Sequence, residues 1–365
     1  MASIVLSGTE RPELQPATAL RALLDGAATR AFTATTPESA AAWQRETRAS
    51  LAERIGFQDW PAVDPAPESI ESVGRGDLVR EKIVIRTSRH THLPLYLIRR
   101  RDLQTPAPTV IAFHGHGYGV KDIVGLWEDG SERETPDGYH TDFALALARL
   151  GFLVAAPEIS CFGERSTDFS HLERPFGGPV PSTCAHTSAL AFHLGGSTVG
   201  LRVLDARRLV DYLLTRDDVD GERIGAMGIS GGGMQTFFSM CIDERIRAGV
   251  VSGYYCSHRF SIFDVFHCPC NYVPGLAEFG DVHDLVGLIA PRPLFVEAGT
   301  HDEIFPVEGV RRSVDLGSRV YRVFGASGYP EVEYFEGRHR INGDGAYRFL
   351  RERLAGERTE PVRLA

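Results

Sequence analysis

Three residues in chain order, Ser230, Asp302 and His339, offer a hydroxyl, a carboxylate and an imidazole. A serine hydroxyl is a poor nucleophile near neutral pH and needs a histidine to take its proton. That histidine in turn needs a carboxylate to fix its tautomer and steady the imidazolium. The chemistry such a set performs is acyl transfer through a covalent serine intermediate. Ser230 stands in the stretch "GAMGISGGGMQTFF", between "RIGAMGIS", which reads as a buried strand, and "GGGMQTFFSMCI", which reads as a helix. This strand-turn-helix context is the one in which G-x-S-x-G marks a nucleophile elbow, with the serine in a strained backbone conformation that lifts its hydroxyl above the sheet. Gly228 and Gly232 flank it where a Cβ would collide with a neighbouring segment. A helix starting directly after the serine points the Gly231 amide at the reacting carbonyl, with the helix dipole behind it. A glycine turn cradling phosphate is the competing reading, but no lysine follows as in a P-loop.

The acid and the base sit where such a sheet would place them. "PLFVEAGTHDEIFP" is a strand ending in a loop that carries Asp302, and "VEYFEGRHRINGDGAYRFL" is the next strand, ending in a loop that carries His339. Open α/β sheets bind ligands beyond the carboxyl ends of their strands. His301 is an alternative base and Asp264 an alternative acid. A second oxyanion donor is expected after the strand "TVIAFHGHGYG", where Gly115 and Gly117 admit a substrate and the amide of His116 is the candidate, with Tyr118 beside it for substrate contact.

The elements around these residues follow from pattern. "TTPESAAAWQRETRASLAERIGF" supplies Thr36 as N-cap and Pro37 at the first helical position, predicting an N-terminal helix over 37–57. After the proline-rich "DWPAVDPAPES" come short β-rich runs. The first two, "KIVIRT" and "LPLYLIRR", read as an antiparallel hairpin. From residue 109 such runs alternate with helical patterns, including "TDFALALARLG" and "GLRVLDARRLVDYLLTR". This grammar predicts a mostly parallel sheet covered by helices on both faces. Residues 1–75 read as a helical extension and linker and 76–358 as the catalytic domain. The extension is also the expected surface for any self-association.

At 365 residues, 43% hydrophobic and 24% charged, the chain has ordinary globular composition. Its net charge of −9 argues against nucleic acid as a partner and favours a small-molecule substrate. With no long apolar run and charges breaking every apolar stretch in the first thirty residues, neither a leader peptide nor a membrane span is expected, and a cytoplasmic location is. Six cysteines are too sparse for a disulfide scaffold.

"YYCSHRFSIFDVFHCPCNY", residues 254–272, places Cys256, His258, His267, Cys268 and Cys270 close together. The C-x-C spacing is tight for a four-coordinate zinc site and a second C-x-x-C is missing, so no metal is expected there, nor at His114 and His116. Instead, this stretch and the one following the strand that ends at Glu158 read as excursions over the sheet, at 254–290 and 158–195, enclosing the pocket. Tyr254, Tyr255, Phe260, Phe263 and Phe266 are expected to wall its acyl side, and Glu158, Glu164 and Arg165 to face the alcohol or form ion pairs.

The strings "GLRVLDARRLVDYLLTRDDVDGERIGAMGISGGG", "HCPCNYVPG", "LIAPRPLFVEAGTHDEIFP" and "EGRHRINGDGAYRFL" together resemble the acetyl-xylan-esterase-like and dienelactone-hydrolase-like branch of the α/β-hydrolase superfamily, over residues 80–355. The resemblance implies an α/β-hydrolase fold, with Ser230 as nucleophile, Asp302 as acid and His339 as base, and no cofactor. Dienelactone hydrolases use a cysteine nucleophile, so the serine favours the esterase side. The expectation is cleavage of a carboxylic ester with a short acyl group. Amide or C–C hydrolysis on the same residues, or a non-catalytic binding role, are the alternatives.

Overall fold

The computed structural model describes residues 11–170 and 182–356. Nine strands form one mixed sheet: β1 (Glu68–Arg75), β2 (Leu78–Arg86), β3 (His92–Arg100), β4 (Ala107–Phe113), β5 (Leu153–Pro157), β6 (Val219–Ile229), β7 (Ala248–Ser252), β8 (Leu294–Gly299) and β9 (Glu331–Phe335). Their spatial order is β1-β2-β3-β5-β4-β6-β7-β8-β9. The first three form an antiparallel meander, β3 meets β5 antiparallel, and every later pair is parallel. Nine α-helices accompany them among the described residues: α1 (Pro16–Ala27), α2 (Pro37–Ile55), α3 (Phe143–Arg149), α4 (Thr183–His193), α5 (Thr198–Leu213), α6 (Gly231–Ile242), α7 (Val282–Leu285), α8 (Val307–Val323) and α9 (Asp344–Leu350).

Side-chain alternation along the central strands divides the core into two layers. On β4, Ile111 and Phe113 join the layer of α2, α5 and α6, with Leu51, Val203, Leu209 and Phe237. Val110 and Ala112 join the layer of α3 and α9, with Phe143, Leu147 and Phe349. The sheet is therefore covered on both faces, as the near-continuous apolar runs predict. Strand order reverses at β4, whose chain neighbour β5 lies on one side and β6 on the other. The crevice at such a switch point opens above the carboxyl ends of β4 and β6.

Two expectations need correction. The division at residue 75 cuts through the sheet, because β1 pairs with β2 along its whole length. β1 escapes pattern reading because it is an edge strand with mostly exposed side chains, so no apolar alternation marks it. The N-terminal helix is likewise part of the core. Thr36 caps α2 through the Ser39 amide at 3.3 Å, and Ala40, Leu51 and Ile55 are fully buried. Gln44 donates to the carbonyls of Gly287 and Ala290, and Arg48 to those of Cys241 and Leu288. The apolar side of α2 is thus occupied by its own chain. No described helix is long and apolar enough to cross a membrane.

Candidate active site

Ser230 joins β6 to α6 with φ 57° and ψ −119°. A non-glycine residue held there stores on the order of 1–3 kcal/mol, and it persists only where the surroundings dictate it. Here they do: the Ser230 amide donates to Ser252 O on β7 at 3.0 Å, and the Met234 amide returns to Ser230 O at 2.9 Å. The glycines make the turn possible by close approach. A Cβ on Gly228 would overlap the Gly232 carbonyl, and one on Gly232 would overlap the Phe113 carbonyl of β4.

His339 and Asp302 come together from the ends of β9 and β8, with Nδ1 2.7 Å from Asp302 Oδ2. The other carboxylate oxygen accepts from the amides of Ile304 and Phe305 at 2.8 and 2.9 Å, which fixes the acid. The imidazole lies between the rings of Tyr139 and Phe305, at centroid distances of 5.4 and 5.8 Å. Its Nε2 is buried with no protein partner among the described residues. A Cβ on Gly253, the residue after Ser252, would stand 2.7 Å from the imidazole Cε1, so a side chain there would displace the base. Of the alternatives, His301 pairs with Glu336 at 2.6 Å on the surface, and Asp264 pairs with Arg21.

Among the described residues, neither the Gly231 amide nor the His116 amide donates to a protein acceptor. The loop carrying His116 is held by buried imidazoles. The Gly115 amide donates to His140 Nε2 at 2.8 Å, and His140 Nδ1 stands 3.0 Å from Asp122 Oδ2. Burial lowers the His140 pKa, which keeps its Nε2 free to accept. His114 donates from Nδ1 to Gly115 O at 2.7 Å and accepts the Ile159 amide on Nε2 at 3.0 Å, and Tyr139 donates its hydroxyl to His116 O.

The residues expected to contact substrate are placed differently. Tyr254 and Tyr255 are 2% and 0% exposed and pack in the core against Phe305 and Phe237, because Tyr254 abuts Gly233 of α6 and the Tyr255 hydroxyl abuts Gly317 of α8. Glu158 is buried and accepts the Val120 amide at 2.9 Å, which braces the loop after β4. Tyr118 donates to Leu126 O at 2.9 Å and takes a hydrogen bond from Arg133. Glu164 and Arg165 sit in ion pairs with Lys82 and Asp205. Part of the 158–195 excursion, residues 171–181, lies outside the described residues.

Two features escape sequence reading. The first is the assembly of His116, Cys184, Cys268 and Cys270, whose ligand-type atoms all lie within 4.8 Å of one another. The missing half of the "HCPC" pattern comes from His116 and Cys184, far off in sequence. The second is Glu297, buried on β8, which accepts the Ser252 hydroxyl at 2.7 Å and the Gly343 amide at 2.6 Å. It thereby ties the strand behind Ser230 to the loop beyond His339. Its only sequence signal is an acid inside the apolar run "PLFVEAG". Burial pushes its carboxyl from 4.5 up to about 7, against the pull of the two donors. Between those two values the unfolded chain releases a proton that the folded chain keeps, so this group costs stability as pH rises, and the loss is complete above the folded value. Glu297→Gln, neutral throughout, is expected to remove that slope. Between pH 5 and 8, urea unfolding should show wild type losing about 2–3 kcal/mol relative to the variant. Parallel profiles would refute the assignment.

Comparison with known proteins agrees with this architecture. YtaP of Bacillus subtilis, named as a hydrolase, is 28% identical over 274 residues, covering 72% of this chain and 84% of its own. A Bacteroides fragilis structure named for acetyl xylan esterase superposes with a TM-score of 0.70 at 19% identity, covering 88% of this chain and 81% of that one. The glucuronoyl esterase of Solibacter usitatus superposes with a TM-score of 0.62 at 17% identity, covering 89% and 97%. The sequence matches the Abhydrolase family over residues 20–342, a span that takes in α2 and the whole sheet, and the chain belongs to that family of α/β-hydrolases.

Proposed function

We propose that the protein is a serine hydrolase that cleaves a carboxylic ester. The carrying observation is the coincidence of a strained Ser230 at the β6–α6 turn with a buried His339–Asp302 couple whose Nε2 is left unpartnered. Ser230 Oγ attacks the ester carbonyl while His339 Nε2 takes its proton. The Gly231 and His116 amides hold the resulting oxyanion. His339 then protonates the departing alkoxide, leaving an acyl-serine. Water attacks that acyl group with His339 again as base, and the carboxylic acid leaves. Esterase names among the structural neighbours support the bond type.

A panel of acyl p-nitrophenyl esters against aminoacyl amides and vinylogous diketones tests the bond. Turnover confined to the amides or diketones would overturn the ester reading. Labelling of Ser230 by a fluorophosphonate separates catalysis from a binding role on the same scaffold.

Acyl length gives a second measurement. Tyr254 and Tyr255 are spent on the core, and among the described residues the apolar surface packed directly on His339 is that of the Tyr139 and Phe305 rings, which is short. Each further methylene gains about 0.8 kcal/mol only where it finds such surface. kcat/KM is expected to peak at roughly two to four acyl carbons on that scale. A rise continuing through longer chains would require an apolar tunnel and would refute the argument.

A further inference from the structure

Four donor atoms converge beside the oxyanion loop without a role in the proposed reaction. His116 projects its imidazole from the loop after β4, with Nε2 3.4 Å from Cys270 Sγ. Cys184 enters from the first turn of α4. Cys268 and Cys270 come from the 254–290 excursion, on either side of Pro269. All four donors lie within 4.8 Å of one another. A tetrahedral zinc ion with Zn–S of about 2.3 Å and Zn–N of about 2.0 Å has ligand-to-ligand edges of about 3.5–3.8 Å. The His116–Cys270 edge is already close to that length, and no other edge exceeds 4.8 Å.

An independent observation supplies the charge. Arg202 on α5 is 1% exposed. Its Nη2 donates to Ser160 O at 3.2 Å and lies 4.0 Å from Cys184 Sγ. Nε and Nη1 have no partner, and no carboxylate pairs with this guanidinium among the described residues. A buried, permanently charged arginine demands a nearby anion. Three thiolates and a neutral imidazole around a divalent cation carry one net negative charge, which Arg202 balances. Asn271 Nδ2, 3.8 Å from Cys270 Sγ, adds an N–H···S contact of the kind that orients thiolate ligands.

We propose that His116, Cys184, Cys268 and Cys270 form a closed, four-coordinate site for a thiophilic divalent cation, with zinc the best match to three sulfurs and one imidazole. Four protein ligands leave no open position, so the ion is structural and takes no part in bond cleavage. It clips together the loop that carries the His116 amide, the start of α4 and the 254–290 excursion. Disulfide pairing is a poor alternative account of the same cluster. It would join thiols two at a time, leave the imidazole unexplained and leave Arg202 without its counter-charge.

The test reads metal content, so it stands or falls separately from the esterase assignment. Full-length protein purified without a polyhistidine tag is analysed for metals, before and after incubation with one equivalent of Zn²⁺ and gel filtration. About one zinc per chain is expected, the stoichiometry of a single structural site. Substituting Co²⁺ should give a thiolate-to-cobalt charge-transfer band and the intense d–d absorption of a tetrahedral ion. Cys184→Ser combined with Cys270→Ser should abolish both, while Cys161→Ser, at a neighbouring buried thiol outside the four, keeps them. Should the double variant fail to fold, the cobalt spectrum of the wild type still decides. No bound metal after Zn²⁺ incubation, an octahedral cobalt spectrum, or a Cys184 disulfide in non-reduced peptide mass spectra would overturn the proposal.

Discussion

Replacing Ser230 with alanine is expected to lower kcat toward p-nitrophenyl acetate by at least about a thousandfold, with the fold intact. The size follows from the route: without Oγ no acyl-enzyme forms, and only the oxyanion amides and substrate positioning remain to assist water. Alanine does not remove the positive φ that Ser230 occupies, nor the bond its amide donates to Ser252 O, nor the one its carbonyl accepts from the Met234 amide. The circular dichroism spectrum should therefore match wild type, and KM should change far less than kcat. A folded Ser230→Ala protein retaining most of its esterase turnover would show that another residue is the nucleophile.

His339→Ala is expected to cost a similar factor, about a thousandfold or more, because Ser230 then has no base and the leaving alkoxide no acid. Combining the two substitutions should cost little beyond either one, since members of such a unit fail together. Asp302→Asn should cost less, because the base remains. The amides of Ile304 and Phe305 both point at Oδ1, so an asparagine there turns its carbonyl toward them and its NH₂ toward His339 Nδ1. A donor at that position favours the tautomer with its proton on Nε2, the wrong one for accepting from Ser230. Rates for the three single variants and the Ser230–His339 double variant, measured on one ester, distinguish a coupled unit from independent contributions. Additive losses would argue against the triad.

The order Ser230, Asp302, His339 was readable because each of the three sits on a local signal. Ser230 is framed by glycines with a steric reason to be there, and Asp302 and His339 each follow an apolar strand. What pattern reading lost was determined by distant parts of the chain. β1 has no buried face to announce it. Tyr254 and Tyr255 look like pocket lining because aromatic residues follow a strand end, and only the packing of α6, α8 and Phe305 around them shows that they point inward. His116 and Cys184 carry nothing in their neighbourhoods that names Cys268 and Cys270 as companions, since the convergence exists only after α4 and the 254–290 excursion are stacked. Glu297 is the intermediate case, a visible oddity in an apolar run whose meaning lies in Ser252 and Gly343.

The stitching of α2 into the core also sets a timetable for synthesis. Gln44 reaches the Gly287 carbonyl 243 positions later, and Arg48 reaches Cys241 across 193. At roughly 5–20 residues per second, the Gln44 partner emerges about 12–50 s after the helix itself. Until α5 is made, early in that interval, Leu51 and Ile55 lack the helix that packs on them, and until Cys241 and Leu288 follow, Arg48 has no carbonyls to hold. The first helix of the core to leave the ribosome is thus among the last to be sealed, and a nascent chain stalled before α5 presents this apolar side to chaperones and to other chains.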